Sequence, residues 1–227
     1  GMFSINSHEL KYELNGKSYE DAETVTYGTA ITAKAAPTVA AGYTFSGWQG
    51  VPTSMPDKDV LIKGTISANT NTKYTVEHYL QNLENDEYTL DKEATQTLSG
   101  TTDTTATATA KTYEGFTAKE ESVSGNINGD GSQVLKLYYD RVVKSVSYTV
   151  DNEADGEAES YKYGAAVTIK AEPTKEGYTF SGWKIGEDDA ADFEMGTADV
   201  AIAGTFRINS HELKYELNGS TYETPET

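Results

Sequence analysis

Cysteine is absent from the 227 residues of the chain, and no run of 18 apolar residues occurs in it. The first absence excludes disulfides, thiolate metal sites and cysteine nucleophiles. The second excludes a transmembrane helix within this segment. Histidine occurs only as His8, His78 and His211, and no His/Asp/Ser combination recurs in a way that would assemble a catalytic triad. We therefore expect no catalytic, cofactor-binding or metal-binding residues.

Basic side chains are also scarce, with 18 Lys and Arg against 36 Asp and Glu and a formal net charge of −18. Such a chain repels phosphate backbones and anionic lipid, which argues against nucleic-acid and membrane partners. Tyrosine, in contrast, is abundant, with 16 copies against 6 Phe and 2 Trp. A tyrosine buries its ring while its hydroxyl stays in water, so this composition suits small modules with thin interiors.

Internal repetition organises the chain. Tyr12–Pro37 aligns without gaps on Tyr148–Pro173, and the block GYTFSGW occurs at residues 42–48 and again at 177–183. The intervening segment has a different sequence, so it forms a unit of another kind. The predicted organisation is module A at residues 3–71, module B at 72–142, module A′ at 143–207 and the truncated start of a further repeat at 208–227.

The last of these segments repeats the beginning of module A. Residues 208–219 copy residues 5–16 letter for letter, so the chain enters a further unit and stops about 20 residues into it. A β-hairpin without a core is marginal in water. We therefore expect this segment to lean on module A′ or on a neighbouring molecule.

Strand signals dominate both copies. Leu10, Tyr12 and Leu14 alternate with charged residues and end at Asn15-Gly16, a strong hairpin signal. The run Tyr43–Phe45 indicates a central strand. In module B, the strand signals are at residues 74–79, 116–119 and 134–139.

Helix signals are weak throughout, and only Leu80–Leu83 and Thr105–Thr112 could hold a short helical turn. Gly47 predicts a β-bulge that returns the indole of Trp48 to the core side. The expected fold class is therefore mostly β, or α+β, in tandem small modules.

Two stretches imitate calcium loops, Asp151–Gly156 and Asn126–Gly131. Both place oxygen-bearing side chains at alternating positions before a glycine. An EF-hand needs a bidentate Glu at its twelfth position, where these stretches have Lys162 and Leu137. We interpret both as turns.

An acidic insertion distinguishes A′ from A. It contains Glu187–Asp189, with Asp192 and Glu194 close behind. Clustered carboxylates can bind a hard cation weakly, but a flexible, solvated loop is the favoured interpretation.

Aromatic residues supply the remaining candidates. Trp48 and Trp183 could stack on carbohydrate, yet each lies in the repeated block with alternating apolar neighbours, which favours a core position. An exposed member of the pair Tyr138-Tyr139 is a better candidate for contact with a partner.

The joints between modules are short. Residues 68–72 and 140–144 connect them without a Pro-rich or Gly/Ser-rich linker. Short joints restrict the angles between neighbours, so we expect a monomeric, semi-rigid rod. Three modules in line would span roughly 90–110 Å.

Two family resemblances cover nearly the whole chain. Tyr27-Gly28, Lys34–Pro37 and the block at residues 42–48, with their second copies, resemble the Listeria–Bacteroides repeat, also called the internalin B-repeat. Module B is similar to MucBP-like repeats of Gram-positive surface proteins, through Tyr74–Tyr79, Gly100–Thr102, Ala110–Phe116 and Leu135–Tyr139. These resemblances imply β-grasp-like modules, a place on the cell envelope in stalks or adhesins, and no catalytic residues to carry over.

The sequence therefore predicts a non-enzymatic stalk, spacer or adhesin segment of an extracellular protein attached to the cell envelope. Its signal peptide and anchor are expected outside this segment. The alternative is a module that binds mucin, glycan or a host protein through exposed aromatics of module B. A hydrolase would need convergent acid and base side chains, and the sequence offers no such set.

Overall fold

The computed structural model describes residues 1–221, and these residues form strands without any helix. It follows that no helix in this range has the length and apolar character that a bilayer crossing requires. Contacts divide the chain into two compact units. One comprises residues 1–78, 90–110 and 120–137, and the other comprises residues 79–89, 111–119 and 138 onward. The division falls within the segment assigned to module B, and the module boundaries given above remain a prediction.

Module A is built around one central strand. β1 pairs antiparallel with β2 and β3 along one edge and parallel with β5 along the other. β4 pairs with β6 in a separate two-stranded sheet, so the expectation of a central strand over Tyr43–Phe45 was wrong. The strands are β1 (Ser7–Leu14), β2 (Lys17–Ser18), β3 (Glu23–Thr26), β4 (Tyr43–Phe45), β5 (Val60–Gly64) and β6 (Ile66–Ala68).

The parallel pairing explains how distant residues share one core. Tyr12 of β1 lies opposite Ile62 of β5, and the chain between them contains three strands instead of a crossover helix. Parallel neighbours need a connection of a dozen or more residues, and here β2, β3 and β4 supply it. Both Tyr12 and Ile62 are buried.

The predicted bulge at Gly47 is confirmed. Gly47 has a φ of 79°, a conformation that glycine adopts at little cost. Backbone hydrogen bonds flank the site on both sides, so that Gly47 and Trp48 together oppose the single residue Gly64. Two residues against one turn the indole of Trp48 toward the core.

The middle segment contains a five-stranded and a two-stranded sheet. The larger sheet has the order β11-β13-β7-β8, with β9 also paired to β7, while β10 pairs with β12. The three predicted strand signals are confirmed, as they fall in β7, β11 and β13. The strands are β7 (Thr72–Gln81), β8 (Tyr88–Leu90), β9 (Gln96–Gly100), β10 (Thr105–Thr109), β11 (Phe116–Ala118), β12 (Ser122–Asn126) and β13 (Val134–Arg141).

Neither segment with residual helical signal is helical. Leu80 lies in the last part of β7, and Thr105–Thr109 forms β10. In β10 the alternation of Thr and Ala buries Ala106 and Ala108 on one face. A period of two fits a strand, and it overrides the helix propensity of alanine.

Module A′ repeats the plan of module A. β14 is central, with β15 and β16 along one edge and the parallel strand β22 along the other, where Tyr148 lies opposite Ile202. The acidic insertion contributes an additional hairpin of β19 and β20. The strands are β14 (Val143–Val150), β15 (Glu153–Ala154), β16 (Glu159–Lys162), β17 (Ala166–Val167), β18 (Tyr178–Phe180), β19 (Lys184–Ile185), β20 (Asp188–Asp189), β21 (Phe193–Glu194), β22 (Val200–Gly204) and β23 (Phe206–Ile208).

Each copy of the aromatic block lies in its own interior. Trp48 packs against the cluster of Leu10, Tyr12, Met55 and Ile62. Trp183 belongs to a second cluster, formed with Val146, Tyr148, Val167, Met195 and Ile202. The expectation of two separate cores is confirmed. The sequence did not single out Met55 and Met195, which occupy equivalent positions and are each 1% exposed.

The terminal segment departs from expectation. Ile208 and Asn209 are bonded to A′, but every residue from 210 to 221 is exposed, including the hairpin of β24 (Glu216–Leu217) and β25 (Ser220–Thr221). Leaning on A′ was therefore the wrong expectation for residues 210–221, and residues 222–227 lie outside the described range. In module A the equivalent strand β1 pairs with β5, and no such strand pairs with residues 210–221 in the described chain.

Candidate functional site

Three tyrosines of the middle segment pack together on its surface. Tyr79 lies near the end of β7, Tyr88 begins β8 and Tyr138 lies in β13. The rings of Tyr79 and Tyr138 are stacked, with centroids 5.1 Å apart and an interplanar angle of 23°. The ring of Tyr88 meets Tyr138 edge-on at 5.1 Å. We call Tyr79, Tyr88 and Tyr138 the tyrosine cluster.

The alternation of β13 decides which tyrosine of the predicted pair reaches solvent. Tyr138 is 37% exposed, whereas Tyr139 is 1% exposed, because successive side chains of a strand point to opposite faces. The Tyr139 hydroxyl accepts a hydrogen bond from the Lys111 backbone N–H at 2.9 Å, and burial raises the pKa of Tyr139. The prediction that one of the two is exposed is confirmed.

Charged groups border the tyrosine cluster. The Tyr88 hydroxyl donates a hydrogen bond to Asp140, which raises the pKa of Tyr88. The Lys119 ammonium lies 3.3 Å from the Tyr88 hydroxyl and 5.5 Å from its ring centroid. Its hydrogen bond to Tyr88 raises the pKa of Lys119.

This arrangement suits binding more than bond cleavage. A stacked pair of rings offers an apolar face, while Lys119 and Asp140 provide a donor and an acceptor beside it. Exposed aromatics with flanking polar groups are typical of contact surfaces. Tyr79, Tyr88 and Lys119 were missed at the sequence level, because only the β7–β8–β13 arrangement brings them to Tyr138.

The tryptophans occupy core positions, as expected. Trp183 is 5% exposed, and its ring meets Tyr148 edge-on at 5.0 Å. Trp48 is half-buried and meets Tyr12 in the same way at 4.9 Å. Trp183 is thus part of its core cluster, and Trp48 packs against the cluster of its own module.

The histidines differ in their surroundings. His78 is 1% exposed, and His211 is exposed. His8 Nε2 lies 2.8 Å from Asp57 Oδ1. Hydrogen bonds from Asn6 and His8 lower the pKa of Asp57. The contact between His8 and Asp57 lies at the protein surface and is an ordinary hydrogen-bonded pair.

The first calcium-like stretch is a turn, as interpreted. Asp151 and Asn152 have φ of 51° and 69° between β14 and β15. The Asp151 carboxylate accepts a hydrogen bond from the Phe206 backbone N–H at 2.9 Å. Asn15 makes the equivalent bond to Ile66 at 2.8 Å in module A, so the residue at this position ties the hairpin to β6 or β23.

The second calcium-like stretch is also a turn. The Gly131 N–H donates to the Asn128 carbonyl at 2.9 Å, and the Ser132 N–H donates to Asp130 at 2.9 Å. Hydrogen bonding from Ser132 lowers the pKa of Asp130. Asp130 thus accepts its hydrogen bond within the turn, while the Asn126 side-chain oxygen accepts one from the Thr105 hydroxyl of β10 at 3.0 Å.

The acidic insertion is an ordered hairpin and not the flexible loop that we expected. Asp188 and Asp189 form β20, and Asp189 pairs with Lys184 at 2.6 Å. Asp192 accepts a hydrogen bond from the Ile169 backbone N–H at 2.9 Å. Across residues 1–221, no group of three or more His, Asp or Glu side chains is arranged to hold a metal ion.

Comparison with known proteins identifies the two copies of the aromatic block. Residues 8–59 match the Listeria-Bacteroides repeat domain, and residues 146–210 match the divergent InlB B-repeat domain. Internalin H of Listeria monocytogenes is 38% identical over 80 residues, covering 32% of this chain and 15% of the relative. A protein of Evansella cellulosilytica is 34% identical over 83 residues, covering 33% and 12%. The chain therefore spans well under a fifth of the length of these curated relatives.

Solved structures overlap the chain more loosely. The match to the Bacillus anthracis TIE protein covers 91% of this chain and 51% of that protein, with a TM-score of 0.43 and 12% identity. The match to Mub-RV covers 61% of this chain and 100% of that structure, with a TM-score of 0.18 and 13% identity. Overlaps of this quality do not establish a shared fold. The chain therefore carries one segment similar to the Listeria-Bacteroides repeat domain, at residues 8–59, and one similar to the divergent InlB B-repeat domain, at residues 146–210.

Proposed function

We propose that the chain is a non-enzymatic stalk or spacer segment of an extracellular protein attached to the cell envelope. The observation that carries this proposal is the use of the repeated aromatic block. In both copies the tryptophan packs edge-on against a core tyrosine. A block used for the interior builds a module that can be stacked, because each unit then needs only its neighbours for further stability.

The sequence relatives support a place at the cell surface. One matched family is the divergent InlB B-repeat and the other is the Listeria-Bacteroides repeat, and one curated relative is itself an internalin. The net charge of −18 also suits an exposed array, since like charge keeps neighbouring molecules apart.

Solution scattering and binding assays together test the spacer proposal. Three modules in line would give a radius of gyration of about 30 Å, against about 17 Å for one globule of this length. We expect the larger value, and no binding of the 227-residue chain to a glycan array or to immobilised mucin. A compact particle, or saturable binding, would contradict the spacer role.

The tyrosine cluster supports a second candidate, the binding of mucin, glycan or a host protein through the middle segment. Here the expected result is binding that Tyr138→Ala weakens at least tenfold, because central aromatic anchors carry much of the energy of an interface. Tyr27→Ala is the matched control, since Tyr27 is 56% exposed and lies outside the cluster. Equal losses in both variants, with circular dichroism unchanged, would exclude the cluster as the binding site.

A further inference from the structure

A hydrogen-bonded junction follows module A. The Asn69 N–H donates to the Gly42 carbonyl at 2.8 Å, and the Asn69 carbonyl accepts from the Thr102 N–H at 2.9 Å. The Thr102 hydroxyl donates to the same Gly42 carbonyl at 2.8 Å. Asn69 thus links the glycine of one module to a residue of the next segment, and we call a residue in this position a junction residue.

The same junction recurs before module A′. The Val142 N–H donates to the Gly115 carbonyl at 2.9 Å, and the Val142 carbonyl accepts from the Tyr163 N–H at 2.8 Å. Arg141 adds a bond from its guanidinium to the Tyr163 carbonyl at 2.8 Å. The two junctions join different kinds of module, yet their backbone bonds follow one scheme. In each, the junction residue donates its N–H to a glycine carbonyl and accepts an N–H from a residue of the following segment.

Close packing over a glycine accompanies both junctions. A methyl group added to Gly42 would overlap Gly129 and lie 2.5 Å from the Thr102 hydroxyl oxygen. A methyl group on Gly115 would overlap the ring of Tyr163. Each glycine is therefore covered by the segment that follows its junction.

Module A′ contains the outgoing half of such a junction. The Asn209 N–H donates to the Gly177 carbonyl at 2.8 Å, and Thr179 donates to the Asn209 side chain at 2.6 Å, as Thr44 does to Asn69 at 2.5 Å. Gly177, however, is uncovered, because nothing lies within 4 Å of a methyl group placed there.

The surroundings of Gly177 are open as well. A shallow depression beside it is lined by residues that include Lys175, Tyr178 and Phe206. Gly177 and Asn209 are exposed, whereas Gly115 is buried at the completed junction.

Module A carries the incoming half. The Tyr27 N–H donates to the Asn6 carbonyl at 2.9 Å, which matches the bond from Tyr163 to Val142. Tyr27 is 56% exposed, while Tyr163 is half-buried over Gly115. Because residues 208–219 copy residues 5–16, Asn209 corresponds to Asn6. One residue can therefore serve both halves.

We infer that the face formed by Gly177, Tyr178 and Asn209 is a docking surface for an A-type module that follows Asn209 in the same chain. The residue equivalent to Tyr27 would cover Gly177, as Tyr163 covers Gly115. The inference rests on the spacer proposal and deepens it, because a hydrogen-bonded junction would fix the angle between successive modules of the spacer.

Hydrogen exchange on an extended chain tests this docking. Thr227 corresponds to Thr24, so a copy of residues 25–71 joined after Thr227 completes an A-type module in register. Exchange followed by mass spectrometry reports on β18 through peptides that begin at Pro173 and on β23 through peptides that contain Phe206–Ile208, and these peptide sequences occur only in A′. We expect amide exchange there to slow about fivefold or more when the module is added, because docking would stabilise these strands against local opening.

Matched alanine variants distinguish docking from a general effect. Alanine at the Tyr27 position of the added copy should remove the slowing, whereas Tyr27→Ala at the original position should leave it intact. Gly177→Ala is a second variant for the case that the first unfolds the added module, because it obstructs the face and leaves that module unchanged. The same Gly177→Ala change in the 227-residue chain controls for its backbone strain at φ of 78°.

Two results would overturn the inference. One is unchanged exchange in β18 and β23 in a chain whose added module is folded, as shown by full protection of the peptides of residues 25–71 in both copies. The other is slowing that survives both alanine variants. Neither outcome contradicts the spacer proposal, since a flexible array of modules also extends a distal domain. Conversely, binding to a glycan array would contradict the spacer role and would leave the exchange result unchanged.

Discussion

Modules A and A′ share a framework but differ in how its polar groups are satisfied. In both, a central strand pairs in parallel with a later strand, so that Tyr12 meets Ile62 and Tyr148 meets Ile202. In both, the tyrosine hydroxyl accepts a backbone N–H bond, from Lys34 at 3.4 Å in A and from its counterpart at 3.3 Å in A′. Ladder register and aromatic packing are thus the constant part of the repeat.

The lysine above the core tyrosine illustrates the variable part. Lys34 lies over Tyr12 at 5.0 Å and pairs with Glu20 and Glu23 at 2.5 and 2.7 Å, and these hydrogen bonds raise the pKa of Lys34. Lys170 lies over Tyr148 at 4.5 Å but donates to the Asp155 carbonyl at 2.9 Å. The cation over the ring is kept while its partners change, which indicates that covering the ring matters more than any one ion pair.

The tryptophans differ in the same sense. Trp48 Nε1 lies 3.4 Å from the Ala35 carbonyl oxygen. Trp183 is the more buried of the two, and its Nε1 has no hydrogen-bond partner in the described chain. A buried donor without an acceptor costs roughly 1–3 kcal/mol, so A′ gains packing at the expense of a hydrogen bond.

Core truncation should have the largest effect and show whether the two interiors are independent. Ile62 and Ile202 are both 0% exposed, and we expect Ile62→Ala or Ile202→Ala to lower the free energy of unfolding of its own module by about 2–5 kcal/mol. Urea unfolding combined with hydrogen exchange on peptides from each module measures this. Leu61→Ala, at a site 43% exposed, is the control with a smaller loss. Equal losses in both modules from Ile62→Ala would break the comparison.

Overpacking at the glycine under the aromatic block should come next. A methyl group on Gly64 would lie 2.6 Å from the ring of Phe45, and one on Gly204 would overlap Phe180. We expect Gly64→Ala and Gly204→Ala each to lower the unfolding free energy by about 1–3 kcal/mol, because neither ring can move without disturbing the adjacent tryptophan. Gly196→Ala is the control, since nothing lies within 4 Å of its added methyl group. Thermal unfolding that ranks Gly196→Ala with the other two would contradict this account.

Replacing each tryptophan sharpens the difference between the modules. Trp183→Phe removes an unpartnered N–H along with some packing, so the two effects partly cancel. We expect it to lower the unfolding free energy by about 1 kcal/mol or less, no more than Trp48→Phe does, although Trp183 is more buried. Denaturant unfolding of the single variants measures both values, and a clearly larger loss for Trp183→Phe would show that its N–H is not a liability.

Acid should distinguish the modules by the smallest margin. Hydrogen bonds from Asn6 and His8 lower the pKa of Asp57 from its ordinary value of 3.8, whereas A′ has Thr197 at the equivalent position. The folded-state pKa is depressed, so the contribution of Asp57 to stability is present above the unfolded-state pKa and is lost as pH falls through the folded value. As pH falls from about 5 to about 2, Asp57→Asn should flatten the decline of the urea midpoint of module A. The midpoint of module A′ in the same protein is the internal reference, and an equal change there would refute a local origin.

Much of the fold was predictable because it depends on local patterns. Alternation in Leu10–Leu14 and the Asn15-Gly16 turn gave the first hairpin, and Gly47 gave the bulge. The position of β4 was not predictable, since Tyr43–Phe45 has the composition of a central strand and only the pairing of β1 with β5 leaves it at the side. The burial of Met55 was not predictable either, because it depends on segments that meet only in the folded module.

The candidate site was predictable in part. The pair Tyr138-Tyr139 pointed to one exposed tyrosine, because a strand must turn adjacent side chains to opposite faces. Which of the two is exposed, and that Tyr79 and Tyr88 join it, depends on the order of β13, β7 and β8 in the sheet.

The sequence by itself determined the repeated units, their strand character and the position of each aromatic block, since periodicity and turn chemistry act over a few residues. Only the tertiary structure decided which tyrosines gather on the surface, which tryptophan lacks a partner and which glycine is left uncovered. Those outcomes depend on contacts between residues tens of positions apart, such as Gly42 with Thr102 and Gly115 with Tyr163, and no local pattern encodes such contacts.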